Sequence, residues 1–235
     1  MRILTNNYLP ESTISINGPE PMFPVENLYS NILSEVTRYL GFISIDLGAA
    51  KQVTAIGLLN LTSGGIGPYQ VRVQANSVDD FSGVTPFDEV VDDKVYFTDV
   101  TYRYWRFTSV SGRQIGYAYL GQYLQMPGNV GGSVPSPIRN DIITVSQSGA
   151  RYITPGSVIR QQSFTFDTVS SKSEWDTLDN YRTNADYSNN HIFVQFEEKI
   201  SGEWYFDPYF ASILMTGDSR GGNLFSMNMS VVEAK

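Results

Sequence analysis

Three pairs of adjacent carboxylates lie within fifteen residues and are the clearest candidates for chemistry in this sequence. They are Asp79-Asp80, Asp88-Glu89 and Asp92-Asp93. Clustered carboxylates can supply oxygen ligands to calcium, and two facing carboxylates can act on a glycosidic bond. None of the pairs has the spacing of an EF-hand loop, and aspartate is also typical of solvated turns. We favour turn residues, with structural calcium as the alternative. The calcium candidates are Asp79, Asp80, Asp92 and Asp93.

Histidine and cysteine, on which many active sites depend, are nearly absent. His191 is the only histidine, and there is no cysteine. A catalytic or metal-binding histidine needs partners of fixed geometry, and no nucleophile motif lies near His191. The sequence also lacks a G-x-S-x-G motif, a phosphate-binding glycine loop and a zinc-type histidine pair. It therefore predicts no catalytic residue, no bound cofactor and no enzymatic activity.

Aromatic side chains offer a second kind of chemistry, because a ring face stacks on the apolar face of a sugar. The chain has 15 Tyr, 13 Phe and 3 Trp. Tyr69, Tyr117 and Tyr119 lie beside glycine-containing loops, where a lectin would place such rings. These three are the candidate carbohydrate contacts. The alternative is that they belong to the core or to an interface, as most aromatics do.

Charge and hydropathy exclude several classes of partner. The net charge is −8 and there is no basic run, so the electrostatic signature of a nucleic-acid-binding protein is missing. No apolar stretch approaches 18 residues, which argues against a membrane span. The first residues lack the apolar segment of a secretion signal, and cysteine is absent. We therefore expect synthesis and folding in a cytoplasm.

The first half of the chain reads as β-strands. Phe42 to Leu47 and Val53 to Leu59 are β-rich runs around a polar turn, so we expect neighbouring strands joined by a tight connection. Tyr69 to Ala75 and Tyr102 to Val110 alternate apolar and polar residues, as half-buried strands do. Residues 27–40 have helical spacing, and a short helix or a wrapping loop is expected there.

A Pro/Gly/Ser-rich segment, residues 127–137, predicts a linker between two domains. The first domain would cover residues 1–126 and the second residues 138–235. Val158 to Phe166 alternates as a strand, and a capping box followed by apolar residues at intervals of three predicts one helix near residues 171–182. The prediction is a mainly all-β protein with two β-sandwich domains, the second carrying that helix.

The first domain resembles the discoidin-like, coagulation-factor C-type family, a galactose-binding-like jelly roll, over residues 25–126. Four segments carry the resemblance: Ile45-Asp46-Leu47-Gly48, Val53 to Leu58, Tyr69 to Ala75 and Tyr102 to Phe107. The chain departs from the family in lacking its disulfide and in replacing S-x-D-G-x-x-W with residues 76–81. The resemblance implies a jelly roll and a carbohydrate contact, and it favours a strand-end or turn role for Asp46 over a catalytic one.

The whole chain is also similar in architecture to tail proteins of long-tailed bacteriophages. The second domain resembles the tube-like β-sandwich of distal tail proteins through the strand Arg160 to Phe166 and the capped helix. This resemblance implies a subunit of a tail tip or baseplate, located in the virion and made in the host cytoplasm. Its partners would be copies of itself in a ring, other tail proteins and a host surface glycan.

Three functions follow from the sequence. The leading hypothesis is a structural subunit of a phage tail tip that assembles through its second domain. The alternative is a carbohydrate-binding module used in receptor recognition. A cell-wall glycan-degrading enzyme is a remote third hypothesis, because the sequence has no defensible pair of catalytic carboxylates.

Overall fold

The protein is described here by a computed structural model. The described residues are 2–19, 22–30, 35–61, 69–91, 95–110, 114–125, 130–132, 136–139, 141–145, 151–154, 156, 158–166, 176, 192–200, 203–220 and 224–233. Nearly all regular structure within them is β-strand, with short 3-10 helices at Leu9–Glu11 and Val25–Tyr29. The prediction of a mainly all-β chain is confirmed for these residues. No helix among them has the length and apolar character needed to cross a membrane.

The chain divides into two compact units. The first unit comprises residues 2–124 and 195–208, and the second comprises residue 1, residues 125–194 and residues 209–235. The sequence predicts a first domain that ends at residue 126 and a second domain that includes residues 195–208.

The first unit is an antiparallel β-structure with two long strands at its centre. Its strands are β1 (Arg2–Asn7), β2 (Thr13–Ile16), β3 (Thr37–Arg38), β4 (Phe42–Leu59), β5 (Val71–Asn76), β6 (Phe87–Val91), β7 (Val95–Ser109), β8 (Gln114–Ile115) and β9 (Tyr117–Gln125). The main sheet has the order β1-β9-β4-β7-β5-β6, with β2 paired to the first part of β4. Strands β3 and β8 form a separate pair.

Strand β4 corrects the prediction of two neighbouring strands at residues 42–59. The two β-rich runs are halves of one 18-residue strand, and both halves pair with β7. The polar segment between them is an irregularity of the ladder, because residues 47–50 of β4 lie opposite the single residue Arg103 of β7. A second register shift separates Val53 from Ala55. Extra residues in one strand bend it and increase its twist, so β4 changes direction without a hairpin.

Of the two alternatives expected for residues 27–40, the described residues favour the wrapping loop over the short helix. The described helical part of this segment is the 3-10 helix at Val25–Tyr29, and Thr37 is already in a strand. Asn27 lies inside that 3-10 helix, where its side-chain amide donates to the Val36 carbonyl at 2.9 Å. Among the described residues of this segment, a polar contact joins Asn27 to Val36.

One apolar core fills the first unit. Its largest fully buried side chains come from the two 3-10 helices, from Tyr39 and from strands β4 and β7: Leu9, Leu28, Tyr39, Ile43, Ile45, Ile56, Leu58, Trp105 and Phe107. Residues from both halves of β4 belong to this one cluster. Phe87 adds a ring 5.6 Å from that of Trp105, centroid to centroid. Burying such side chains is the main source of folding free energy, at roughly 1.5–3 kcal/mol for each one.

Asn7 fastens the N-terminal strand to β9. Its side-chain oxygen accepts from the N–H groups of Leu9 and Leu120, both at 3.2 Å. Its amide nitrogen donates to the Ala118 carbonyl at 3.2 Å and to the Tyr117 hydroxyl at 3.4 Å. A side chain at Gly121 would collide with the carbonyl oxygen of Asn6, so only glycine lets β1 approach this closely.

The second unit contains an antiparallel sheet. The strands after β9 are β10 (Val130–Gly132), β11 (Ser136–Arg139), β12 (Ile142–Val145), β13 (Arg151–Thr154), β14 (Val158–Phe166), β15 (Ile192–Ile200), β16 (Glu203–Arg220) and β17 (Leu224–Glu233). The parts of β15 and β16 that lie within residues 195–208 belong to the first unit. Strands follow the order β10-β14-β17-β16, β11 also pairs with β14, and β12 and β13 form a separate hairpin sheet. The predicted strand at Val158 to Phe166 coincides with β14.

The segment predicted to be a linker, residues 127–137, is partly built into this sheet. Both β10 and the start of β11 pair with β14, and Pro137 lies in register with Arg160. Proline is tolerated in a strand at the edge of a sheet, because the N–H it lacks would face away from the neighbouring strand. Of the helix predicted near residues 171–182, only Asp176 is described, and it is helical. The rest of that prediction lies outside the described residues.

Removing the Asn7 side chain should destabilise the first unit. Asn7→Ala leaves buried or half-buried N–H and carbonyl groups without their partners, which typically lowers the free energy of unfolding by about 1–3 kcal/mol. Urea denaturation followed by tryptophan fluorescence would measure it. The matched control is Asn6→Ala, because the Asn6 side chain is exposed and only its backbone N–H bonds to Tyr119. Equal stability of the two variants would contradict the fastening role.

Candidate functional site

One side of the sheet made by β4, β7, β5 and β6 carries polar side chains, while the other side packs on the core. Ile43, Ile45, Val73, Trp105 and Phe107 are at most 1% exposed. Side chains alternate along a strand, so the residues between them lie on the opposite side. This side is the polar face, and its members are Phe42, Ser44, Arg72, Gln74, Asp88 and Arg106.

Strand register lines up four of these residues in a row. Ser44 lies opposite Arg106, Arg106 lies opposite Gln74, and Gln74 lies opposite Asp88. Directly opposed residues of antiparallel strands share one side of the sheet with Cβ atoms about 5 Å apart. The row therefore places a hydroxyl, a guanidinium, an amide and a carboxylate side by side, and the amide is that of Gln74, which is only 8% exposed.

Asp88 is held by the side chains around it. Arg72 donates to both of its carboxylate oxygens, with 2.6 Å between Arg72 Nε and Asp88 Oδ1. Gln74 Nε2 lies 3.2 Å from Asp88 Oδ2 and 3.3 Å from the Thr85 hydroxyl. The hydrogen bonds from Arg72 are the main reason that the pKa of Asp88 is lowered, with smaller contributions from Gln74, the Arg72 charge and Thr85. The carboxylate is thus charged and fixed in orientation.

Arg106 lies against two phenylalanine rings. Its Cζ atom is 4.3 Å from the ring centroid of Phe42 and 4.3 Å from that of Phe81. A guanidinium at this distance interacts favourably with the electron-rich ring face. Arg106 Nε is buried and has no hydrogen-bond partner among the described residues, although the residue as a whole is only half-buried.

Phe81 belongs to the polar loop that follows β5, where two calcium candidates lie. Asn76 Nδ2 donates to the Asp80 carbonyl at 2.6 Å, and Asp80 Oδ1 accepts from the Ser82 N–H at 2.9 Å. These contacts to Ser82 lower the pKa of Asp80, and the nearby charge of Arg106 adds a smaller effect. Asp79 and Asp80 are exposed, as turn residues are.

The described residues show no group of side chains that could bind calcium. Among the residues that are described, no three His, Cys, Asp or Glu side chains lie together as a metal site would require. Asp92 and Asp93 lie outside the described residues, and so does His191. Calcium at these aspartates stays a prediction.

The three tyrosines predicted to contact carbohydrate lie in different surroundings. Tyr117 and Tyr119 are only 6% and 2% exposed, and their hydroxyls take part in the fastening of β1. Burial raises the pKa of Tyr117 to about 12. Tyr69 is half-buried and packs against the core cluster. Stacking on a sugar would require the rings of Tyr117 and Tyr119 to be uncovered, so Tyr69 is the more accessible candidate.

Asp46 occupies the irregularity of β4. Its carboxylate receives two hydrogen bonds from Arg103, at 2.7 and 2.9 Å, and one from the N–H of Gly48 at 2.8 Å. Gly48 has a φ of +75°, which glycine adopts without strain. The hydrogen bonds from Arg103 are the main cause of a lowered pKa for Asp46, and the Gly48 N–H and the Arg103 charge add to it. Asp46 therefore has a structural role at an irregularity inside β4, and not at the strand end or turn that the sequence predicts.

Sequence reasoning did not select the polar face as a site. The alternation of Arg106 with Trp105 and Phe107, and of Gln74 with Val73, was the available signal. The contact between Arg106 and Phe81 joins a strand to a loop 25 residues earlier, and no sequence motif predicts it.

Comparison with known proteins gives structural neighbours only. No protein-family model matches the sequence, and no curated protein matches it. A family 32 carbohydrate-binding module from a family 31 glycoside hydrolase of Clostridium perfringens is 12% identical and covers 50% of this chain and 99% of its own, with a TM-score of 0.40. A family 32 module of C. perfringens NanJ, in complex with galactose, is 17% identical and covers 53% and 100%, with a TM-score of 0.39.

A third neighbour is the family 32 module of AlyQ in complex with 4,5-unsaturated mannuronic acid. It is 22% identical and covers 46% of this chain and 92% of its own, with a TM-score of 0.36. Likeness at these scores establishes neither a function nor a ligand for this chain.

Asp46 should make stability depend on pH. A lowered pKa means that folding favours the charged carboxylate, so its contribution is present above the ordinary aspartate pKa of about 4 and is lost as pH falls through the lowered value. The free energies of unfolding of the native chain and Asp46→Asn should therefore differ most near neutral pH and converge towards pH 3. Urea denaturation at several pH values would measure this.

Arg103→Met should give the same convergence, because it removes the partner that lowers the pKa of Asp46. A difference that stays constant from pH 7 to pH 3 would show that the ion pair does not contribute.

Proposed function

We propose that this chain is a non-catalytic binding protein whose first unit contacts carbohydrate through the polar face. The observation that carries the proposal is the row of Ser44, Arg106, Gln74 and Asp88 across adjacent strands, next to the ring of Phe42. A sugar presents hydroxyl groups that both donate and accept hydrogen bonds. Guanidinium, amide and carboxylate groups offer the matching donors and acceptors in a planar arrangement.

Preorganisation supports the proposal. Arg72, Gln74 and Thr85 hold the Asp88 carboxylate, and two rings hold Arg106. Binding a ligand to side chains that are already ordered costs less conformational entropy than ordering flexible ones. The side chains of Arg72 and Asp88 are 50% and 28% exposed, so a ligand can reach both.

We also propose that residues 25–126 form a jelly roll of the discoidin-like type. The segments that carry the sequence resemblance fall on the central strands: residues 45–48 and 53–58 in β4, residues 71–75 in β5 and residues 102–107 in β7. The expected carbohydrate contact agrees with the function proposed for the polar face.

A role as a structural subunit of a phage tail tip is a second proposal, and it concerns the second unit. The strand that carries the resemblance, Arg160 to Phe166, pairs over six residues with β17, from Gln161 opposite Val232 to Phe166 opposite Met227. A ring of copies, contact with other tail proteins and a place in the virion belong to this proposal. The glycan contact would then serve recognition of the host surface.

Arg72→Met should weaken glycan binding about tenfold or more, because it removes charged hydrogen-bond donors while keeping the apolar stem. Binding would be measured on a glycan array and then by calorimetry with the glycans retained. The matched control is Arg103→Met, since Arg103 is likewise held by a carboxylate and similarly exposed, but lies at the irregularity of β4.

Loss of binding in Tyr69→Ala but not in Arg72→Met would indicate that the sugar site lies at the start of β5, beside Tyr69. An array on which no glycan is retained would contradict the carbohydrate function itself.

The tail-subunit proposal predicts that the isolated chain forms closed oligomers. Mass photometry at increasing protein concentration should show one discrete multiple of the 26.3 kDa chain. A chain truncated after residue 124 lacks strands β10 to β17, including residues 195–208 of the first unit, and it should give no such multiple. A full-length chain that stays monomeric at every concentration, and that tail particles do not incorporate, would contradict this proposal.

A further inference from the structure

Arg106 differs from the other two arginines of the central strands. Arg72 donates to both carboxylate oxygens of Asp88, and Arg103 does the same to Asp46. Arg106 has no ion pair and no hydrogen bond within the part of the chain that the structure describes, and its described contacts are with the rings of Phe42 and Phe81. The polar face thus carries one guanidinium whose charge no carboxylate of the described chain binds directly.

The rings fix this guanidinium without using its donors. A cation over an aromatic ring keeps its N–H groups available at its edge, and Arg carries five of them in a rigid planar fork. The Nε–H is buried without a partner, a condition that few polar groups in folded proteins retain.

Among the described residues, the acidic groups near Arg106 already have other hydrogen-bond partners. Asp80 interacts with Arg106 through charge, but its carboxylate is bonded to Ser82. Asp88, one strand beyond Gln74, is bonded to Arg72. The site around Arg106 therefore has a fixed positive group, a neutral hydroxyl at Ser44 and a neutral amide at Gln74.

We propose that Arg106 binds the carboxylate of an acidic saccharide, with the neighbouring polar side chains contacting its hydroxyls. This inference rests on the carbohydrate function proposed above and names the class of sugar. Arg and carboxylate form two parallel charge-assisted hydrogen bonds, which are stronger and more directional than bonds between neutral groups. A single carboxylate suits a single guanidinium. A polyphosphate backbone, in contrast, would be repelled by the net charge of −8.

The test compares two ligands that differ only in charge. A trimer of galacturonic acid and the same trimer with its carboxyl groups reduced to primary alcohols would be titrated into the full chain by calorimetry. The acidic trimer should bind at least about tenfold more tightly, the difference expected for charge-assisted hydrogen bonds. Raising the salt concentration should weaken binding of the acidic trimer but not of the reduced one, because salt screens charges at a partly exposed site.

Two variants change the charge at the site in opposite directions. Arg106→Gln should remove the preference for the acidic trimer and leave the affinity for the reduced trimer nearly unchanged. Asp80→Asn should strengthen binding of the acidic trimer about two- to fivefold. It removes a negative charge that repels the ligand, while the amide oxygen can still accept from the Ser82 N–H. The matched control is Arg38→Gln, which removes the same charge from an arginine that lies over Phe23 at 3.9 Å on the β3–β8 pair.

A direct signal covers the case in which Arg106→Gln does not fold. The Nε–H resonance of Arg106 in the unmodified protein should shift when sodium glucuronate is added and stay in place when glucose is added. Equal binding of the two trimers, or a resonance that does not move, would overturn the acidic-sugar inference while leaving carbohydrate binding intact. Stronger binding of an acidic peptide than of the acidic trimer would overturn it as well. No retention of any glycan, acidic or neutral, would overturn the proposed function from which it starts.

Discussion

The pairing of β4 with β7 is the constraint on which the first unit depends. These strands have 18 and 15 residues and run antiparallel through two register shifts. A shift by one residue would move every side chain to the other side of the sheet, so the irregularities decide which residues are buried. Ile45 and Trp105 face the core, and Ser44 and Arg106 face the opposite side, because this register holds. The core and the polar face are two results of one ladder.

The first irregularity is stabilised by polar contacts rather than by apolar packing. Four residues of β4 lie opposite Arg103, and Asp46, Arg103 and Gly48 close that gap with charged hydrogen bonds. A long β4 can thereby serve two neighbours on one edge, β2 along its first half and β9 along its second. This arrangement lets a single strand contribute to both ends of one core.

Periodicity in the sequence predicted the strands of the first unit well, because alternation directly reflects which side is buried. Tyr69 to Ala75 agrees with β5 to within two residues, and Tyr102 to Val110 covers the second half of β7, which begins at Val95. The connection at residues 49–52 was misread, because a polar segment with glycine is equally typical of a hairpin turn and of a bulge. A hairpin turn and a bulge differ in which strands pair across them, and that pairing is not visible in the local sequence.

The candidate site was predictable only in part, for a related reason. Alternation separates Arg106 and Gln74 from their apolar neighbours, but it does not reveal that Phe42 and Phe81 lie beside the guanidinium. Tyr117 and Tyr119 were singled out because glycine lies near them, yet it is Gly121 that brings β1 over this region and covers their rings. Composition near a loop cannot tell an exposed ring from one that a distant strand covers.

The fastening of β1 to β9 also imposes an order on folding. Three of the hydrogen bonds of the Asn7 side chain join it to residues 110 to 113 positions later, so these partners do not exist until most of the first unit has left the ribosome. Contacts of such long sequence separation form late, because the loop between them must close at a cost in entropy. During synthesis β1 therefore has no β9 to pair with, and that edge of the core stays uncovered until β9 has been made.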